Sequence, residues 1–253
     1  MNRFLNRELE LFFAAVGFFT RLPVPMKAEF SEADLNHSTR YFPLVGIMIG
    51  VISALVYTLS ARLLPMELAI LASMAATIYL TGAFHEDGLT DALDGLGGGW
   101  EKEQVLTIMQ DSRIGSFGAV GLFLILLAKY EALAHTYPAL IPVALIAGHA
   151  LSRFAAVLVI YTQAYVKAKG KAKPLSTSLS EGELALASAF GLGPLLLLAP
   201  KLLVTLAPVI IVWCWFSYTL KRRLGGYTGD CLGAMQQLTE LAFYLGVVAW
   251  STH

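Results

Sequence analysis

The sequence predicts an all-α fold: a polytopic integral membrane bundle of about seven transmembrane helices, with a short N-terminal interfacial or re-entrant helix ahead of them. Three observations carry this. Of 253 residues, 57% are hydrophobic and 14% charged, and the mean hydropathy is +0.65, a balance that leaves too little polar surface for a soluble globule. Apolar stretches near the length of about 20 residues that crosses a hydrocarbon core recur at 41–64, 66–84, 117–136, 138–163, 183–199, 201–220 and 229–250. The basic residues then fall on alternate loops.

The elements follow in order. "LFFAAVGFF" (11–19) is too short to span and suits an interfacial or re-entrant segment. Arg3 and Arg7 precede it, and "TRLPVP" follows in place of a small-residue cleavage site, so no cleaved leader is expected. Pro65, Pro138 and Pro200 separate successive spans, because proline cannot continue a helix ladder. With a cytoplasmic N-terminus, the inward loops hold Arg3, Arg7, Arg21, Lys27, Arg40, Lys102, Arg113, Lys167, Lys169, Lys171, Lys173, Lys221, Arg222 and Arg223, and the outward loops only Arg62 and Lys201. That asymmetry predicts a cytoplasmic-membrane protein whose 85–116 loop faces the cytoplasm. No short repeat or low-complexity tail interrupts the chain, and residues 1–253 read as one domain. The formal net charge is zero, which offers no basic field for nucleic acid. Cys214 and Cys231 are too few for a disulfide framework or a zinc site, and read as structural thiols.

Chemistry concentrates in "HEDGLTDALDGLGGGW" (85–100). Seven of the eighteen acidic residues lie between 86 and 111, and Asp87, Asp91 and Asp94, spaced i, i+4 and i+7, share one helix face. Each carboxylate near a bilayer costs about 2.5 to 3.5 kcal/mol on insertion scales, so a cation is expected to compensate. Clustered hard oxygens suit Mg²⁺, Mn²⁺ or Ca²⁺, most naturally Mg²⁺ held by two or three carboxylates and completed by substrate phosphate oxygens. Gly88, Gly95, Gly97, Gly98 and Gly99 would let a diphosphate approach the backbone and its N–H groups. A solvated acidic loop is the plain alternative. His85 is more readily a satisfied helix-end residue than a ligand or base.

Further polar groups flank this stretch. In "MQDSRIGSFG" (109–118), Asp111 would add a ligand, while Ser112 and Arg113 would grip phosphate; a helix cap with a membrane-flanking arginine is the alternative. In "LGGYTGDCLGA" (224–234), Thr228 and Asp230 are either substrate contacts or an N-cap. Lys129, Glu131, His149, Arg153 and Glu240 fall inside spans, where ionisable groups mark functional interiors or structural pairs. "KAKGKAK" (167–173) reads as a topology determinant or a contact to anionic lipid.

Taken together, "FFTRLPVP" (18–25), "RYFPLVGIMIG" (40–50), "GAFHEDGLTDALDGLGGG" (82–99), "IMQDSRIGSFGAVGL" (108–122) and "GGYTGDCLGA" (225–234) resemble the adenosylcobinamide-GDP ribazoletransferase (cobalamin synthase) family, in the family's order and across nearly the full length. The resemblance implies an Mg²⁺-dependent membrane enzyme late in cobalamin (vitamin B12) synthesis. It would join α-ribazole, or its 5'-phosphate, to adenosylcobinamide-GDP with release of GMP, the 5'-oxygen attacking the corrinoid-side phosphorus. The partners implied are those two substrates and the lipid bilayer, with a homo-oligomer left open. Glu86, Asp87, Asp91 and Asp94 become the metal ligands, Arg21 and Arg40 candidates for further phosphate contacts, and Asp91 or His85 the candidate general base. Two alternatives are a CDP-alcohol phosphotransferase, whose metal motif opens like "DALDG" (91–95) but differs at Gly98, Gly99, Glu103 and Thr107, and a cation transporter, which would place its carboxylates near the bilayer midplane.

Overall fold

A computed structural model describes residues 2–25, 31–166, 179–198 and 200–251; Lys27 and the lysines of 167–173 lie outside them. The described residues are helical, with one isolated bridge between Tyr165 and Tyr227 and no strand. The helices are α1 (Asn2–Phe19), α2 (Glu32–Ser38), α3 (Phe42–Ser60), α4 (Met66–Thr81), α5 (Phe84–Gly98), α6 (Lys102–Ile108), α7 (Ser116–Ala134), α8 (Ile141–Thr162), α9 (Glu181–Leu192), α10 (Leu206–Leu224) and α11 (Gly229–Ser251). This is an all-α membrane protein, as its sequence predicts.

Among the described residues, four helical stretches are long and apolar enough to cross a membrane: Glu32–Ser60, Ser116–Ala134, Ile141–Thr162 and Leu203–Leu224. A fifth is counted if α4 and α5, bent by 86° from one another, form one broken span. Seven were expected, and the difference has physical causes. The 183–199 stretch is a 12-residue helix that gives way to a 3-10 turn over Gly193–Leu197, where Pro194 removes a ladder donor. The last stretch does form a 23-residue helix, α11, but Asp230, Gln236, Gln237 and Glu240 lower its apolarity, and most of its length is buried among the other helices. α1 is longer than 11–19, starting at Asn2. It buries Leu11, Ala15, Val16 and Phe19 along one stripe and keeps Arg7 and Glu10 exposed.

Close packing sets the centre. On α3, Gly46 and Gly50 stand one turn apart against α8, and a Cβ there would lie 2.3 Å from the carbonyl oxygen of His149 and 2.6 Å from the Cα of Ile146. Small residues at that spacing let two helices meet backbone to backbone. The α4–α5 bend has a backbone cause: Gly82 and Ala83 both take left-handed φ, +65° and 57°. Ala83 pays a Cβ strain of about 1 to 2 kcal/mol for this, and the turn aims α5 across the bundle. α5 then crosses the beginnings of two other helices. Gly88 meets α11 at Asp230 and Gly233, with Cβ contacts of 3.1 to 3.4 Å, while Leu93 and Asp94 meet α7 at Gly121 and Gly115.

Candidate active site

The acidic residues of α5 share a helix but not a destination. Asp87 is exposed and Asp91 half-buried, one turn apart on the outward side. Asp230, half-buried at the start of α11, packs its backbone against Gly88 of α5. Glu86 points into the bundle, where its Oε1 accepts from Gln237 Nε2 at 3.0 Å and its buried Oε2 has no hydrogen-bond partner.

Asp94 is 8% exposed and turned toward α7. Its Oδ2 accepts the Gly115 N–H at 2.7 Å and its Oδ1 the Gly118 N–H at 2.8 Å. Gly115 is the N-cap residue of α7 and makes no side-chain cap of its own. A carboxylate on another helix thus does the work of a capping box, satisfying the cap and N3 amides together. A Cβ at Gly115 or Gly118 would lie 2.4 Å from an Asp94 oxygen, so the glycines of "GSFG" make room for the carboxylate.

The remaining expected residues are dispersed. Asp111 binds Arg113 through Oδ1 at 3.0 Å and Oδ2 at 2.6 Å, and accepts the Arg113 N–H at 3.0 Å. The guanidinium and that N–H hold the Asp111 carboxyl down at about 2. Ser112 is exposed beside them. Gly97 and Gly98 are exposed at the end of α5, with Gly97 against the Phe117 ring. Arg21 sits at the α4–α5 bend, its N–H bonded to the Leu80 carbonyl at 2.8 Å and its guanidinium 5.7 Å from the Tyr79 ring centre. Arg40 is not gathered with α5: it lies 3.8 Å from Glu8 and 3.7 Å from Glu183, in a groove with Arg7 and His37. Thr228 is fully buried and its hydroxyl accepts the Cys231 N–H at 3.3 Å, which makes it an N-cap of α11 rather than an open contact. Asp230 Oδ2 accepts from the same hydroxyl at 3.3 Å.

Beneath α5 lies a buried polar network that crosses three helices. Lys129 of α7 donates to Gln237 at 2.7 Å and Glu240 at 2.9 Å, both on α11. Glu240 Oε2 also accepts from Gln236 and lies 3.3 Å from His149 Nδ1 on α8. Gln236 reaches Ser152 at 3.0 Å. The ionisable members were candidates from the sequence, but Gln236 and Gln237 were not. The signal was present in "MQQLTE" (235–240), four polar residues inside an apolar run. Glu131, by contrast, faces outward and meets His135 at 3.5 Å.

Two small cavities adjoin this network, each with about 30 Å³ of water-accessible space. One is polar and includes Glu86, Lys129, His149 and Glu240; the other is apolar and includes Phe18, Phe19, Phe42 and Phe84. His85, Arg153 and Gln236 line both. His85 is 4% exposed and stacks on Phe19, ring centres 5.6 Å apart and planes 12° from parallel.

Among the described residues, no three His, Cys, Asp or Glu side chains converge closely enough to hold a metal ion by themselves. The donor set does fit a magnesium ion of the usual kind, which takes one or two carboxylates and completes its shell with water and substrate phosphate. Asp87 and Asp91, one turn apart on α5, are the carboxylates that would hold it; Asp94 and Asp111 accept hydrogen bonds from protein donors, and Glu86 faces inward.

Comparison with known proteins places this geometry in a family. Adenosylcobinamide-GDP ribazoletransferase of Ralstonia pickettii is 45% identical over 97% of this chain and 98% of its own length. The proteins of that name from Shewanella piezotolerans and Shewanella pealeana are each 45% identical, over 95% of both chains. No solved structure matches significantly. The cobalamin-5-phosphate synthase family matches residues 11–248, and the chain belongs to that family.

Proposed function

We propose that this chain joins α-ribazole or its 5'-phosphate to adenosylcobinamide-GDP, releasing GMP, at a magnesium-dependent site on the cytoplasmic face of the inner membrane. The reading rests on the family and on one observation above all: Asp87 and Asp91 stand one turn apart on the outward side of a helix laid across the beginnings of α7 and α11. The cytoplasmic placement is supported by the basic residues near that end, Arg21, Arg113 and Lys221 to Arg223.

In such a transfer the protein contributes position and charge more than covalent chemistry. Bound magnesium would neutralise the diphosphate and the departing GMP. Asp87 and Asp91 would hold it, with Asp230 beside them. Asp94 has a different part: by capping α7 it fixes the loop that carries Ser112 and Arg113 next to α5. The Asp111 carboxylate keeps the Arg113 guanidinium fork in place. A nucleotide that keeps its phosphate in a cobalamin 5-phosphate product has its 5'-oxygen already esterified, so another ribose hydroxyl must attack. Asp91 is better placed than His85 to receive that proton, since His85 is packed flat against Phe19.

The test is a chromatographic assay of the purified full chain with adenosylcobinamide-GDP, α-ribazole 5'-phosphate and Mg²⁺. GMP and a cobalamin product are expected in equal amounts and only with the divalent ion. Release of CMP from a CDP-alcohol with no corrinoid product would overturn the reading, as would ion uptake by proteoliposomes without transfer.

A further inference from the structure

Among the described residues, Arg153 is a buried cation with no carboxylate paired directly to it. It is 3% exposed, and its Nη1 donates to the His149 carbonyl at 3.0 Å and lies 3.3 Å from His149 Nδ1. Its Nε has no hydrogen-bond partner, and among the described residues no carboxylate oxygen comes within 4.0 Å of it. The neighbouring acids are occupied elsewhere: Glu240 by Lys129, Gln236 and His149, and Glu86 Oε1 by Gln237. The unpartnered Glu86 Oε2 lines the polar cavity but lies beyond that distance. A guanidinium taken from water without a paired anion is strongly unfavourable, and its planar fork matches phosphate.

Arg153 also lines the apolar cavity, where the end of α1, through Phe18 and Phe19, meets the starts of α3, α5 and α11 at Phe42, Phe84 and Gly229. About 30 Å³ there is room for roughly two waters, and so for two of the three terminal oxygens of a phosphate monoester beside the guanidinium. We propose that Arg153 seats a phosphate monoester, the 5'-phosphate of the incoming ribonucleotide, apart from the diphosphate held at Asp87 and Asp91. This rests on the ribazole-transfer reading above. It assigns the preference between nucleoside and nucleotide to one buried side chain.

The experiment compares kcat/KM for α-ribazole 5'-phosphate and for α-ribazole, using the full chain in detergent with adenosylcobinamide-GDP and Mg²⁺. The wild type should prefer the phosphorylated substrate, and Arg153→Gln should lower that ratio by about 10- to 100-fold, the loss of hydrogen bonding to a charged group. Arg153→Lys should keep part of the ratio, and it carries the test if the glutamine variant does not fold. The proposal is overturned by a wild type without preference, by both substrates declining in equal proportion, or by a change confined to the KM of the corrinoid. If the wild type transfers neither substrate, the function above fails, and the anion seat is then judged by inorganic phosphate alone. Phosphate should raise the thermal midpoint of the wild type by more than that of Arg153→Lys; equal shifts would sink the seat.

Discussion

Asp94 Oδ2 accepts the backbone N–H of Gly115 at 2.7 Å across 21 residues of sequence. That bond, with its companion to Gly118, joins the end of the acidic helix to the first turn of α7. It separates two aspartates that the D-x-x-D spacing of Asp91 and Asp94 makes look equivalent. Asp91 is the one proposed to meet a ligand, whereas Asp94 holds the first turn of α7.

Substituting Asp94 should therefore act first on stability. Asn offers one acceptor and turns an N–H₂ toward an amide, leaving Gly115 or Gly118 unsatisfied. Two charge-assisted bonds of about 1.5 to 3 kcal/mol each are at stake, with compensation by water reducing the net. Asp94→Asn should destabilise the fold by roughly 2 to 4 kcal/mol, and Gly118→Ala should do the same by pressing a Cβ onto the carboxylate. Thermal midpoints in detergent read this directly. A variant that melts with the wild type yet loses transfer would return Asp94 to the ligand set.

The contrast shows what a sequence can and cannot carry. The spans over α3, α7, α8 and α10 were readable because apolar length alone marks them. The acidic stretch was readable as a helix by its i, i+4, i+7 spacing, although five glycines in it oppose helix by about 1 kcal/mol each. The bend at Gly82–Ala83 was hidden, since alanine gives no signal for a left-handed φ. The fate of each carboxylate was hidden too, because Gly115, Gly118 and Gln237 are distant in sequence from the residues they engage. Spacing within a helix reports a face, but only the fold reports what that face meets.

Asp87 and Asp91 make the complementary prediction. Because Asp87 is exposed and Asp91 half-buried, Asp87→Asn and Asp91→Asn should leave the melting temperature close to that of the wild type and remove transfer. Loss of one carboxylate ligand should also weaken divalent binding, measured as Mn²⁺ by electron paramagnetic resonance, by about 10-fold or more. Unchanged Mn²⁺ affinity in both variants would remove these residues from the metal site.

The buried pair Lys129 and Glu240, 6% and 5% exposed at the side chain, tests how the network is held. Removing one partner leaves the other charge uncompensated, and Lys129→Met or Glu240→Leu alone should destabilise by about 3 to 5 kcal/mol. Replacing both should recover much of the loss, because an apolar pair needs no solvation. The Lys129 bond to Gln237 sets a limit on recovery, since that amide would still lose its donor. A double-mutant cycle on thermal stability checks the sign, and strictly additive losses would mean the two charges do not depend on each other.

The Asp111–Arg113 pair predicts an absence in the pH profile. The Asp111 carboxyl titrates at about 2 in the fold, below its ordinary value of 3.8, because of the Arg113 guanidinium and N–H. A depressed carboxyl pKa means the pairing is fully present above the unfolded value and is lost as pH falls through the folded one. The pair is therefore intact at every pH above about 4. Any decline in transfer between pH 4 and 7 must then come from other groups, and Asp111→Asn should lower the rate without moving the acid limb. Profiles of kcat/KM for wild type and variant decide it. An acid limb that shifts in Asp111→Asn would show that this carboxyl titrates in the working range, and that the arginine does not hold it down when substrate is bound.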